Sequence, residues 1–284
     1  FGVVQLIESF KNKEIPHFVK SIGVLVIAVI IAIGTNATSL LAIKEYSQQS
    51  TRSKSELTIN VDGTEKIPSA GLDRDYITEY SYGKAETFNL FIPRFMGGTR
   101  NETVENGELQ SFMQDAVNKG FNPEEANYYF GNSSMYWGEQ PIVAAPAYIG
   151  ALFIFLFAIG FFLVERRLRN WLLAATIFSI LLSWGKNFPF LTDFFIDYVP
   201  LYNKFRAVSS IQVIAEVAIP LLGILGLKAL ISSGNSKEMK LHALKWSTII
   251  VGGLALLFTI GGTGFYTFET PVDIQIDGRM SGFL

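Results

Sequence analysis

Charged side chains punctuate one aromatic stretch of the chain, SWGKNFPFLTDFFIDYVPLYNKFRAVSSIQVIAE, from Ser183 to Glu216: Lys186, Asp193, Asp197, Lys204, Arg206 and Glu216. Cations spaced among Phe, Tyr, Leu and Pro suit a membrane–water boundary, where rings sit among headgroups and cations reach phosphates. Lys186, Lys204 and Arg206 are therefore candidate lipid-phosphate contacts, set against the commoner use of such residues as headgroup anchors. Asp193 and Asp197 are four apart, on one face of a helix over Phe190–Tyr198. They suit sugar binding or a catalytic base, or simply a solvated face. Phe190, Leu191, Phe194, Phe195 and Tyr198 form the other face of this expected interfacial amphipathic helix. Glu216 falls inside the next apolar segment, where an ionisable group is costly and points to function by default. It is expected to face inward and shares a helix face with Gln212, as a hydrogen-bonded pair or as a substrate contact.

Composition says what must position these groups. The 284 residues are 49% hydrophobic and 14% aromatic, with a mean hydropathy of +0.31. With several apolar runs near membrane length, this implies an all-α polytopic membrane protein. The net charge of −2 hides a strongly uneven distribution and gives no reason to expect a nucleic-acid partner. The absence of Cys excludes disulfides, thiolate catalysis and Cys-based zinc sites. Two histidines, His17 and His242, give no basis for a histidine-rich metal site. No cofactor is identified and a divalent metal is not supported. A first residue Phe and an end at RMSGFL lead us to expect an internal fragment.

Five spans are expected. Residues 1–43 comprise a cytoplasmic flank with Lys11, Lys13 and Lys20 and a first span over Val19–Ile43, whose GTNATS stretch suits close helix packing through Asn36. Residues 44–141 carry nine Lys/Arg against fifteen Asp/Glu and are placed outside the cell as a mixed, mostly helical or irregular loop region. Within it Leu57, Ile59 and Val61 suggest a strand. Leu109–Val117 suggests a helix stopped by Gly120, and Asn122 suggests a helix cap. Ser81–Gly98 is too apolar for an exposed loop and is expected to lie on the membrane surface or on the helix bundle, and Tyr128–Pro141 to re-enter the interface. Residues 142–268 form the bundle, with spans at 142–164, 171–184, 207–231 and 246–268 and the interfacial segment 185–206. The third span is short, so re-entry is the alternative to crossing. Glu269 to Leu284 starts an outer C-terminal region. Ten Lys/Arg lie on the proposed cytoplasmic connections against three, Lys186, Lys204 and Arg206, in the short outer one. Asp73 and Asp75 imitate a metal-binding DxD without a third ligand, and loop solvation is the plainer reading.

GLDRDYITEYSYGKAETFNLFIPRFMGG, YWGEQP and WLLAATIFSILLSWGKNF…TDFFIDYVPLYNKFRAVSSIQVIAE resemble the bacterial membrane proteins of the YfhO family. That family is similar to the GT-C glycosyltransferases, multi-span helical enzymes with extracytoplasmic sites that use polyprenyl-phosphate-linked sugars. The resemblance implies a GT-C-like enzyme of the bacterial cytoplasmic membrane, passing a sugar to an envelope lipid or polymer acceptor. It also implies that the main catalytic carboxylate lies in an outer loop absent from this sequence. Asp193, Asp197 and Glu216 therefore stand only as weak candidates. PLYNKFRAVS resembles the segment where related enzymes place a basic group near the carrier phosphate. The alternatives are a lipid or polysaccharide transporter and a non-catalytic membrane scaffold.

Overall fold

The computed structural model describes residues 2–48, 50, 59, 63–64, 71–99, 107–120, 122–124, 136–141, 143 and 147–265. These residues are mostly helical and contain no strand, only an isolated antiparallel bridge between Gly97 and Tyr136. Among the described residues three helical stretches are long and apolar enough to cross a membrane: Ile15–Thr35, Val208–Ile231 and Lys237–Gly262. The chain folds into two compact units, one of residues 1–77 and 196–206, the other of 78–195 and 207–284.

In the first unit, α1 (Gly2–Lys11) leads through Lys13, at φ 58°, into α2 (Ile15–Thr35). Pro16 suits the first turn of α2, where a missing N–H costs nothing. No residue of α2 is buried, which is compatible with a helix that crosses a membrane. The span expected as one piece over 19–43 is two helices. Asn36 donates its side-chain amide to the Ala32 carbonyl at 2.9 Å and to Thr35 Oγ1 at 3.3 Å, and α3 (Ala37–Gln48) starts beyond it. A short amide that satisfies local acceptors competes with the helical ladder. Among the described residues it makes no interhelical bond. The short α4, Arg74–Thr78, closes this part of the chain.

The second unit confirms α5 (Gly107–Asn118), with Gly120 beyond its end at φ 101°. The Glu124 amide donates to Asn122 Oδ1 at 2.9 Å, the cap expected there. The expected strand lies outside the described residues except for Ile59. Among the described residues of the span over 142–164, the α-helix runs from Ala151 to Leu163 (α6) and is entered through Gly150 at φ 107°. The arginines expected in a connector instead open α7, Arg166–Ser183. Arg169 donates to the Phe161 carbonyl at 2.9 Å, so a cation caps the carbonyl end of α6. α8 (Pro189–Tyr198) is followed by α9 (Val213–Ile231). The last span is α10 (Lys237–Ser247), a π-helical turn (Thr248–Gly252) and α11 (Gly253–Phe265).

α6 and α9 cross closely because small residues meet there. A Cβ on Gly226 would lie 2.6 Å from the Gly160 Cα, and one on Gly160 would lie 2.5 Å from the Leu222 carbonyl. Such close approach increases dispersion contact, the main attraction between helices where lipid supplies no hydrophobic drive. Ile159, Leu163 and Ala243 form one buried cluster beside it, and Leu172, Ala218 and Leu222 another.

Ser81–Gly98 packs on this bundle. The Tyr82 amide donates to the Ser183 carbonyl at 2.9 Å, and Trp184 Nε1 donates to Thr87 Oγ1 at 2.8 Å. Phe88, Phe95 and Phe258 pack ring to ring, with centroids 4.6 to 5.6 Å apart.

Candidate functional site

The first unit holds the segment 196–206 against the short arch 71–77 through three separate contacts. The Leu72 amide donates to the Asn203 carbonyl at 3.0 Å. Arg74 Nη2 meets Asp197 Oδ1 at 2.6 Å. Arg206 Nη1 donates to the Tyr76 hydroxyl at 2.5 Å, and its guanidinium carbon stands 4.6 Å from the centroid of the same ring. Gly71 is required: a Cβ there would come within 2.7 Å of the Asn203 carbonyl. The segment is also locally bent, with Leu201 at φ 69° and Ala207 at φ 64° on either side of the turn Tyr202–Lys204. Non-glycine residues in that region cost about 1–2 kcal/mol each. Surrounding contacts must over-determine such a shape for it to persist. Burial pushes the Tyr202 phenol up.

This arrangement redistributes the roles expected from sequence. Asp73 and Asp75 are exposed; the residues between and after them, Arg74 and Tyr76, make the contacts. Asp197 is the ion-pair partner of Arg74, with both side chains about half exposed. Asp193 is half-buried on α8, in the second unit. The helix expected over Phe190–Tyr198 is present, but its packed face is Thr192 and Ile196, while Phe190, Phe194 and Tyr198 point outward. Lys204 and Arg206 belong to the first unit, whereas the exposed Lys186 lies on the turn Gly185–Asn187 of the second.

Gln212 and Glu216 do not form the expected internal pair. Gln212 is only 2% exposed and its Oε1 has no hydrogen-bond partner, while Glu216 is exposed. The reason is local: the buried face of α9 runs from Gln212 through Ala215, Ala218, Ile219 and Leu222, and Glu216 falls beside that face. Glu216 is still close enough to Tyr82 to help hold its phenol up, after burial as the main cause and together with Glu86.

The buried acid of the second unit is Glu86, which no sequence motif singled out. It is 1% exposed. Its carboxyl accepts from the Gly83 amide at 2.6 Å, the Glu139 amide at 3.2 Å and the Tyr136 hydroxyl. Burial pushes this carboxyl up, and bonds from Tyr136, Gly83, Glu139 and Gln140 pull it back down. The Tyr136 phenol is pushed far up by burial and by the adjacent Glu86 charge. A rim of polar contacts surrounds the cup. Asn187 Nδ2 donates to Glu139 Oε2 at 2.7 Å and to the Tyr82 carbonyl at 2.8 Å, and the Lys186 amide donates to Ser81 Oγ at 3.0 Å. Enclosed by its donors, Glu86 joins the Ser81–Gly98 segment to Tyr136–Gln140. A Glu between aromatic and apolar residues, ETFNLF, was the available clue.

Among the described residues no group of three or more His, Asp or Glu could hold a metal ion. Comparison with known proteins gives no match: no family model, curated protein or solved structure is similar to the chain. The elements themselves define the class, a mostly helical protein with three helices of membrane-crossing length and composition among the described residues.

Proposed function

We propose that this chain belongs to an integral membrane glycosyltransferase of GT-C type, with about five membrane helices and an outer loop region. It moves a sugar from a polyprenyl-phosphate donor to an extracytoplasmic lipid or envelope polymer. The reading rests on the YfhO-like motifs and one observation: the cation-bearing segment 196–206 is held in a bent, aromatic-backed form directly before a membrane-length helix. Displacement at the anomeric carbon leaves negative charge on the departing phosphate. Fixed cations that meet this charge lower the barrier without reorganising. Arg206 supplies a planar fork suited to phosphate oxygens, oriented by the Tyr76 ring, and Lys204 a compact supporting charge. The chain's part in the reaction is thus to hold the leaving group. The test is transfer of radiolabelled sugar from a polyprenyl-phosphate donor by the full-length protein in membranes. Absence of transfer across a panel of donor sugars, with the protein correctly inserted, overturns the proposal.

A further inference from the structure

We infer that one end of the second unit's helix bundle, where α6 and α9 stop and α7 and α10 begin, is a docking surface for anionic phospholipid headgroups. Cations gather there. Arg166, Arg167 and Arg169 open α7, Lys228 lies in the last turn of α9, and Lys237, Lys240 and Lys245 lie along α10. Against these seven stand two carboxylates of the same stretches, Glu165 and Glu238. Hydrogen bonds hold the helix ends together. Besides the Arg169 contact with the Phe161 carbonyl, Asn235 Nδ2 donates to the Leu163 carbonyl at 3.5 Å and to the Ala229 carbonyl at 3.3 Å. Lys240 Nζ donates to the Ser232 carbonyl at 2.6 Å. Arg169 and Lys240 are thus engaged within the fold. Arg166, Lys228, Lys237 and Lys245 are exposed, and among the described residues their side chains make no hydrogen bond or ion pair. A surface of one sign concentrates the opposite charge around it.

Aromatic rings lie among these cations. Phe161, Phe162, His242 and Trp246 form a continuous ridge, with successive ring centroids 5.1, 5.7 and 6.2 Å apart. The Arg169 guanidinium carbon stands 5.2 Å from the Phe161 centroid, and Phe161 and Trp246 are exposed. His242, Lys245 and Trp246 are three and four residues apart, hence neighbours on the surface of α10. Rings flanked by cations suit the headgroup layer. The stretch Lys237–Gly262 also runs from these lysines into an apolar helix of membrane length, which brings them within reach of lipid phosphates. This placement favours phospholipid over an acidic protein. Glu238, the one acid on α10, lies a turn before His242, on the side away from the apolar half of the stretch. Neither Arg206 nor sugar transfer has a part in this contact.

The full-length protein is reconstituted in vesicles of equal parts phosphatidylglycerol and phosphatidylcholine and released in mild detergent, and its retained lipids are counted by native mass spectrometry. Phosphatidylglycerol should be retained in preference to phosphatidylcholine. A lysine at the headgroups favours anionic lipid about fivefold, so Lys237→Gln and Lys245→Gln should each lower the preference by about that factor. Both residues are exposed, so the variants should keep the wild-type Tm. Lys84→Gln removes the same charge from an exposed position of the Ser81–Gly98 segment and should leave the preference unchanged. Equal retention of the two lipids overturns the docking surface. A loss with Lys84→Gln as large as with Lys245→Gln also overturns it, because net charge and not this end of the bundle would then decide. Equal retention of the lipids together with binding of soluble polyglutamate, lost in the Lys237→Gln, Lys245→Gln double variant, overturns the lipid assignment and gives the surface to an acidic protein.

Discussion

Replacing Glu86 by Ala should be among the most damaging single changes in the second unit. The substitution leaves the Gly83 amide and the Tyr136 hydroxyl buried without their acceptor, while the Glu139 amide, on a more exposed residue, can turn to water. Each unmet buried donor costs about 1–3 kcal/mol, giving roughly 2–6 kcal/mol for the pair. That is a large share of the ~5–15 kcal/mol that holds a typical domain together. Glu86→Gln keeps one acceptor oxygen and should cost about one such group, ~1–3 kcal/mol. The pH dependence has a definite sign. Burial holds the folded carboxyl above its unfolded value, so the folded state binds the proton more tightly. The resulting stabilisation is complete below the ordinary carboxylate range and is lost as pH rises through the folded value. Glu86→Gln lacks this titration, so the Tm advantage of the wild type over it should shrink with rising pH. Thermal unfolding in detergent across a pH series reads both effects. A Glu86→Ala variant with wild-type Tm, or a wild-type advantage that grows with pH, would refute the reasoning.

Gly226→Ala pushes a methyl against the Gly160 Cα and should cost about 1–3 kcal/mol of overpacking, read as a lowered Tm, whereas Gly253→Ala, with nothing within 4 Å, should be neutral. The Arg74–Asp197 pair is half exposed, so a double-mutant cycle should give no more than about 1 kcal/mol, smaller still in high salt. For the proposed topology, single cysteines at Ser53 and Ser133 should label with an impermeant reagent in intact cells and one at Asn170 should not; labelling at Asn170 alone reverses the orientation.

Helical class and membrane-length segments were legible because apolar runs and flanking charges are local properties of the chain. The helix over 107–118 and the Asn122 cap were legible for the same reason. Boundaries failed where a side chain competes with the backbone, as at Asn36, or where a charged run continues a helix, as at Arg166–Arg169. Lys204 and Arg206 could be singled out from type and position, but the Tyr76 ring that orients Arg206 could not. Tyr76 meets Arg206 across 130 residues and Arg74 meets Asp197 across 123, and periodicity carries no information over such separations. Glu86 was hidden likewise, because its partner Tyr136 lies 50 residues away.

The central claim is that Arg206 acts as an oriented phosphate fork and not as a headgroup anchor, and sugar transfer by Arg206→Lys tests it most directly. The variant keeps the charge and its depth but loses the bidentate geometry and the contact with the Tyr76 hydroxyl. Loss of one charge-assisted contact of about 1.5–3 kcal/mol corresponds to roughly a ten- to hundredfold fall in transfer. Expression and membrane insertion should stay near wild type, and Arg206→Ala should be at least as inactive. Transfer by Arg206→Lys at the wild-type rate, with unchanged apparent donor affinity, would contradict the account and leave Arg206 an anchor.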